Sequence, residues 1–255
     1  MPDAYERHLV PLLFRPFAVD RAARAAASRP RTVLELAAGT GALTSALLAA
    51  VPTATVVASD LNEAMVAAGA AREPRAHWRQ ADAQALPFAD GGFDLVVCQF
   101  GVMFFPDRPA AFTEVRRVLT PRGRFVFSSW GPPASHGFDP AFQSALEEAM
   151  PDGAPTFLRD VPHSYSDKAV VAADLAAAGL TLTTAEEITL QGRAESAASV
   201  ALGFLTGTPV SAAVQARDDA RALRAAVARG MTDRLGPGPV TAPMTATVYT
   251  AHRGA

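Results

Sequence analysis

The feature that most constrains this chain is a short apolar run, Thr32 to Ala37, closed by Ala38-Gly39-Thr40-Gly41 and followed at once by a helical pattern from Ala42 to Ala50. The run is too short for a helix and ends in glycines, so it reads as a buried strand feeding a tight turn at a helix N-terminus. Small residues there let a ligand approach the backbone, and the free N–H groups of the first helical turn point toward whatever binds. The alternation continues. Strand-like segments at 54–59, 77–79, 93–98 and 124–129 are separated by helical patterns at 62–71 and 109–119, with Thr120-Pro121-Arg122-Gly123 as the turn before the last strand. Strands and helices at this spacing predict a doubly wound, mainly parallel α/β sheet.

The flanks are less regular. From Ala4 to Ala27, Leu9, Leu12, Leu13, Phe17 and Val19 form an apolar stripe interrupted by Pro11 and Pro16, which predicts two short helices or one kinked one. After Trp130 the turn-rich GPPASHGFDP leads to helical patterns at 141–150, 168–178, 194–206 and 211–229. Two strand-like segments, 181–190 and 244–252, are expected to form an antiparallel closing edge. The expected layout is one domain over 1–255: a helical cover (1–30), a core (31–130), a helical lid or acceptor region (131–180 and 191–235) and the closing strands.

Composition excludes several classes of function. The 255 residues are 49% hydrophobic and 19% charged, ordinary for a globular chain. With a net charge of −2 and no concentration of Arg and Lys, the footprint of a nucleic-acid binder is missing. Cys98 has no second cysteine to pair with, and the five scattered His show no metal-ligand spacing, so neither a disulfide nor a metal is expected. The N-terminal stretch lacks a basic segment followed by an apolar core, and no run of about 18 apolar residues occurs, so no membrane span is expected and the cytoplasm is the expected location. The oligomeric state is left open.

Nineteen residues after Gly41 the second strand ends in Asp60, where a carboxylate can accept both hydroxyls of a ribose. Dinucleotide-binding enzymes share that arrangement. Two local features separate the readings: Thr44 stands where a third glycine would be, and an acid, Glu35, precedes the glycines inside the first strand. ELAAGTG resembles the first motif, acid-X-Gly-X-Gly-X-Gly, of class I methyltransferases that use S-adenosylmethionine (SAM), with Ala37 in place of the first glycine. Asp60 in VVASDLNEAM resembles the family's ribose-binding acid, Asp82-Ala83 in RQADAQALPF its adenine-contacting pair, and FDLVVCQFGVMFF its fourth strand and active-site loop. PAAFTEVRRVLTPRGRFVFSSW resembles the helix, turn and fifth strand of the ubiquinone/menaquinone-type and natural-product small-molecule subgroup.

The resemblance covers residues 33 to 130 and implies a Rossmann-like fold, a seven-stranded mainly parallel sheet with an antiparallel closing strand and a helical lid. It implies that the backbone around Ala37, Gly39 and Gly41 meets the methionine end, with Glu35 behind it. Asp60 would hold the ribose, Leu61 and Met65 would pack on the adenine, Asp82 would accept its exocyclic amine, and the Ala83 N–H would donate to the ring. Gln99 is either a cofactor contact or a sheet-end hydrogen-bonding group, and Tyr5 is a contact if the N-terminal segment closes over the cofactor. Plain structural roles stand beside these: Asp60 as a helix cap, Asp82 as a turn residue, Glu35 as a strand charge.

The implied reaction moves a methyl group from SAM, leaving S-adenosylhomocysteine, to an O, N or C atom of a small molecule. His136, just after the fifth strand, is the candidate base. Phe100, Met103, Phe104, Trp130 and Phe204 supply either a partly apolar acceptor surface or core. After the fourth strand stands Cys98-Gln99-Phe100-Gly101 in place of the Asn/Asp-Pro-Pro-Tyr/Phe motif that aims a base amine in nucleic-acid methyltransferases. Two alternatives remain, a SAM-binding sensor or scaffold without catalysis and a nicotinamide-dependent oxidoreductase.

Overall fold

The computed structural model describes residues 2–254. Its first elements are α1 (Pro2–Ala4), a π-helical stretch (Tyr5–Phe14) and α2 (Arg15–Ala27). There follow β1 (Thr32–Leu36), α3 (Ala42–Ala50), β2 (Thr55–Asp60), α4 (Glu63–Arg72), β3 (His77–Gln80), β4 (Phe93–Gln99), α5 (Arg108–Val118) and β5 (Leu119–Trp130). The remainder comprises α6 (Phe138–Ala149), α7 (Phe157–Asp160), α8 (Lys168–Ala177), β6 (Leu180–Ala194), α9 (Ala197–Gly207), α10 (Val210–Gln215), α11 (Ala220–Leu235) and β7 (Val240–Arg253).

The strands form one seven-stranded sheet in the order β3-β2-β1-β4-β5-β7-β6. Strands β1 to β5 pair in parallel, and β7 runs antiparallel to β5, with Phe127 opposite Tyr249. The order reverses between β1 and β4, the switch point at whose carboxyl end ligands gather in doubly wound sheets.

Contacts divide the chain into two compact units: a sheet unit of Phe17–Trp130, Tyr165–Ile188 and the chain from Ala246, and a helical unit of the chain up to Pro16, Gly131–Ser164 and Thr189–Thr245. In the sheet unit Val33, Leu34 and Leu36 are all buried, as in a strand covered on both faces. Ala18, Ala22 and Ala25 of α2 and Leu43 and Leu47 of α3 pack with Val33, Val56, Leu95 and Val97 on one face. Phe125 and Phe127 alternate with Val126 and so point to the other, where Phe112 of α5 meets both rings at 5.5 Å. In the helical unit Leu9 and Leu12 share a core with Phe142, Phe204, Val227 and Met231 from α6, α9 and α11.

Four details refine the sequence expectations or depart from them. The N-terminal segment is helical without a break from 2 to 27, because the wider π register around Pro11 tolerates its ring and missing N–H, and Pro16 falls at the second residue of α2. Thr120–Gly123 is taken into β5 as a bulge: Phe93 pairs with Leu119 and Leu95 with Arg124, so the four residues Thr120–Gly123 stand opposite the single Asp94. The helix expected over 211–229 is two, α10 and α11, parted at 216–219. Residues 165–180, expected in the lid, belong to the sheet unit, where α8, capped by the Asp167 carboxylate on the Ala169 N–H, buries Val171 and Leu175.

Candidate cofactor-binding site

The glycine turn follows β1 directly. Ala37, Gly39 and Gly41 have φ of 51°, 56° and 93°, a left-handed path that costs glycine nothing and strains alanine. Gly41 then caps α3, so the helix opens toward the turn. Two side-chain links hold this geometry. Gly39 N–H donates to Asp60 Oδ2 at 2.8 Å, tying the end of β2 to the turn, and Asn62 N–H donates to Asp60 Oδ1 at 2.9 Å. Behind the turn, the Thr44 hydroxyl donates to Glu35 Oε2 at 2.6 Å. Burial pushes the Glu35 carboxyl up to about 8; the Thr44 hydrogen bond opposes that rise and the charge of Asp60 adds to it. Thr44 thus uses the position of a third glycine to partner the strand acid.

Around this centre the sheet unit places the other sequence candidates at or after strand carboxyl ends. Leu61 is 65% exposed beside Asp60, and Met65 is half-buried in α4, whose cap is the Asn62 side chain on the Ala64 N–H. Asp82 holds its own turn, accepting from the Gln84 N–H at 2.9 Å and bridging to Ala85; Ala83 is half-buried within that turn. Gln99 ends β4 opposite Ser128. Cys98 is buried, and burial raises its thiol to about 12, which removes it as a nucleophile.

Phe100 has φ of 59°, an outlier for a bulky residue. Its ring stacks on Trp130 with centroids 3.5 Å apart and planes at 6°, and Phe17 meets both rings edge-on. Such over-determined packing is what sustains backbone strain at functional turns. Phe100 and Trp130 are buried in this cluster and Met103 is buried too, while Phe104 stands exposed. Sequence reasoning missed Arg108, which donates to the Val102 and Met103 carbonyls and lies 4.3 Å over the Tyr165 ring, fixing the turn that carries Phe104. It also missed Trp78, whose indole lies against Gly41 and Gly69. An isolated Arg and Trp gave no motif to find them by.

Three candidates, Tyr5, Phe204 and His136, fall in the helical unit. Tyr5 is half-buried and stacks on Phe14 at 5.2 Å. Phe204 is 1% exposed and packs on Phe142, the setting of a core side chain, not an acceptor surface. His136 is buried: its Nε2 donates to the Thr245 carbonyl at 2.9 Å, and its Nδ1 lies 3.5 Å from Asp139. Burial pulls its pKa below the usual histidine range, only partly opposed by the charge of Asp139. A base must offer a ring nitrogen to its acceptor, and here both nitrogens face groups of the helical unit, so the geometry does not support that role. The scattered histidines are less scattered in space, since His163 also reaches Asp139, at 3.1 Å.

Comparison with known proteins agrees with the motif reading. A family model described as a methyltransferase domain matches residues 34–127. A demethylmenaquinone methyltransferase from Deinococcus radiodurans is 38% identical over 135 residues, covering 51% of this chain and 56% of that protein. A protein of the same name from Thermus thermophilus is 34% identical over 184 residues, covering 67% of this chain and 82% of that one. The fold is shared by the YcgJ protein of Bacillus subtilis, with a TM-score of 0.59 at 20% identity over 94% of this chain and 99% of that one. Among the described residues no helix is long and apolar enough to cross a membrane. With the glycine turn after β1, the β2 acid and this sheet order in one chain, the protein belongs to the class I SAM-dependent methyltransferase family.

Proposed function

We propose that the chain binds SAM at the carboxyl ends of β1, β2 and β4 in the sheet unit and methylates an O, N or C atom of a small, partly apolar molecule. The observation that carries the reading is the Asp60 carboxylate: the Gly39 and Asn62 amides fix one lone pair on each oxygen, so the others are set to accept two neighbouring hydroxyls. That pair of acceptors fits the two hydroxyls of a ribose. The left-handed turn from Ala37 to Gly41 fits the close approach of a cofactor to main chain, and exposed Leu61 offers an apolar face beside it.

SAM supplies an electrophilic methyl group on a sulfonium, for an in-line displacement in which positioning and desolvation provide much of the acceleration. The chain's own residues therefore bind and orient. Asp60 holds the ribose, Thr44 and Glu35 support the turn from behind, and Arg108 fixes the Val102–Phe104 segment that presents Phe104. No base is assigned. The names of the relatives support a quinone-like, partly apolar acceptor.

The test is calorimetric titration of the purified chain with SAM, S-adenosylhomocysteine and NADH, with Asp60→Ala alongside. Binding of the sulfur compounds, lost or weakened in the variant, supports the site; binding of NADH alone overturns it. Methylation of a panel of quinols, phenols, amines and carbon acids then separates an enzyme from a sensor, which would bind SAM and methylate none of them.

A further inference from the structure

His136, Asp139 and His163 converge inside the helical unit, with one donor atom from each within 4.8 Å of the others. Both histidines are buried, 6% and 5% exposed, and Asp139 sits in the first turn of α6. Each ring is anchored by main chain on its far side: His136 Nε2 lies 2.9 Å from the Thr245 carbonyl and His163 Nδ1 lies 2.6 Å from the Gly131 carbonyl. A carbonyl only accepts, so those nitrogens carry the hydrogens. In the neutral rings, His136 Nδ1 and His163 Nε2 then turn lone pairs toward Asp139 Oδ2, at 3.5 and 3.1 Å. Three acceptors face one another.

Positive charge between them reconciles that arrangement. A single proton satisfies one of the two contacts and leaves the other as lone pair against carboxylate. A divalent transition ion satisfies both. Its bonds of about 2.0–2.1 Å to nitrogen and oxygen place tetrahedral ligand atoms about 3.3 Å apart, close to the spacing present here. The far-side carbonyls are the partners that metal-binding histidines use to fix ring orientation and tautomer. We propose that His136, Asp139 and His163 form a binding site for a zinc-class divalent ion. Three protein ligands leave the fourth tetrahedral position to water, and the bound ion clips the segment after Trp130 and the start of α6 to His163. The site lies apart from the SAM-binding motifs in sequence and unit, and does not depend on the reading given above for them.

The test uses the untagged full chain, loaded with zinc sulfate, dialysed against metal-free buffer and measured for metal content and thermal midpoint. Asp139→Asn and His163→Gln are run beside it, with exposed His77→Gln as the control and circular dichroism as the check that each variant folds. The expected result is about one zinc per wild-type and His77→Gln chain, a zinc-dependent rise in midpoint, and loss of both in the two site variants. Cobalt in place of zinc adds an independent signature, the intense visible absorption of a tetrahedral site, absent from Asp139→Asn. No retained metal in the wild type, or equal retention by the folded Asp139→Asn chain, overturns the proposal and leaves a proton-bridged His–Asp–His cluster.

Discussion

Asp60 Oδ2 accepts the Gly39 N–H at 2.8 Å, so the acid that ends β2 braces the glycine turn that follows β1. One carboxylate therefore shapes the turn and, in the proposed site, also presents its oxygens to the ribose. Asp60→Ala is expected to weaken SAM binding by about 1–3 kcal/mol through loss of charge-assisted hydrogen bonds. Asp60→Asn keeps an oxygen for Gly39 but loses the second acceptor, and should fall between. Calorimetry showing the alanine variant at wild-type affinity would take Asp60 out of the site.

Ala37 stands at φ of 51° where the family motif has glycine. A left-handed alanine costs about 1–2 kcal/mol, of which glycine recovers part after its larger unfolded-state entropy. Ala37→Gly is expected to raise stability by about 0.5–1 kcal/mol in urea unfolding. A destabilised variant would mean that the alanine methyl packs for more than the strain it imposes.

Gly69 of α4 faces the Trp78 ring so closely that an added Cβ would sit 2.1 Å from it. Trp78 is held by its Nε1–H on the Glu73 carbonyl at 3.0 Å and also touches Gly41, so it has little room to retreat. Gly69→Ala is expected to cost about 1–3 kcal/mol by overpacking and to loosen SAM affinity through the displaced turn. Thermal and ligand-binding measurements on one preparation check both; unchanged values in both would show that the indole swings away freely.

Glu35 gives stability a pH dependence of defined sign. Its carboxyl is raised from 4.5 to about 8 in the folded chain, so between those values the native state holds a proton that the unfolded state has released. Stability from this group is complete below about 4.5 and declines as pH rises toward about 8, by at most ~1.4 kcal/mol per pH unit. Glu35→Gln retains an acceptor for Thr44 and removes the titration. Its stability relative to wild type should climb with pH across the window; parallel pH profiles for the two chains would refute the assignment.

The local chain carried the parts of this protein whose signal is local. The 32–41 strand and turn, helix α3 at Ala42–Ala50, and the acid at Asp60 were legible because strand length, glycine placement and the spacing to the next strand are written in consecutive residues. The sheet class followed from the alternation. The turn read at Thr120–Gly123 lies inside β5, where a bulge absorbs it against β4, a partner that local sequence does not name; at Pro11 the chain takes the single-helix alternative through a π register.

What the sequence determined by itself was the set of backbone-defined features: the turn that needs small residues, the helix that opens from it, and the carboxylate at the strand end. Tertiary structure decided which side chains face which. It put the Thr44 hydroxyl on Glu35, set Trp78 against Gly41 and Gly69, drew Phe204 into a core, and brought His136 and His163 to one carboxylate across 27 positions of chain. Spacing along a chain encodes period and reach. The direction of a side chain is settled only when the elements on either side of it have packed.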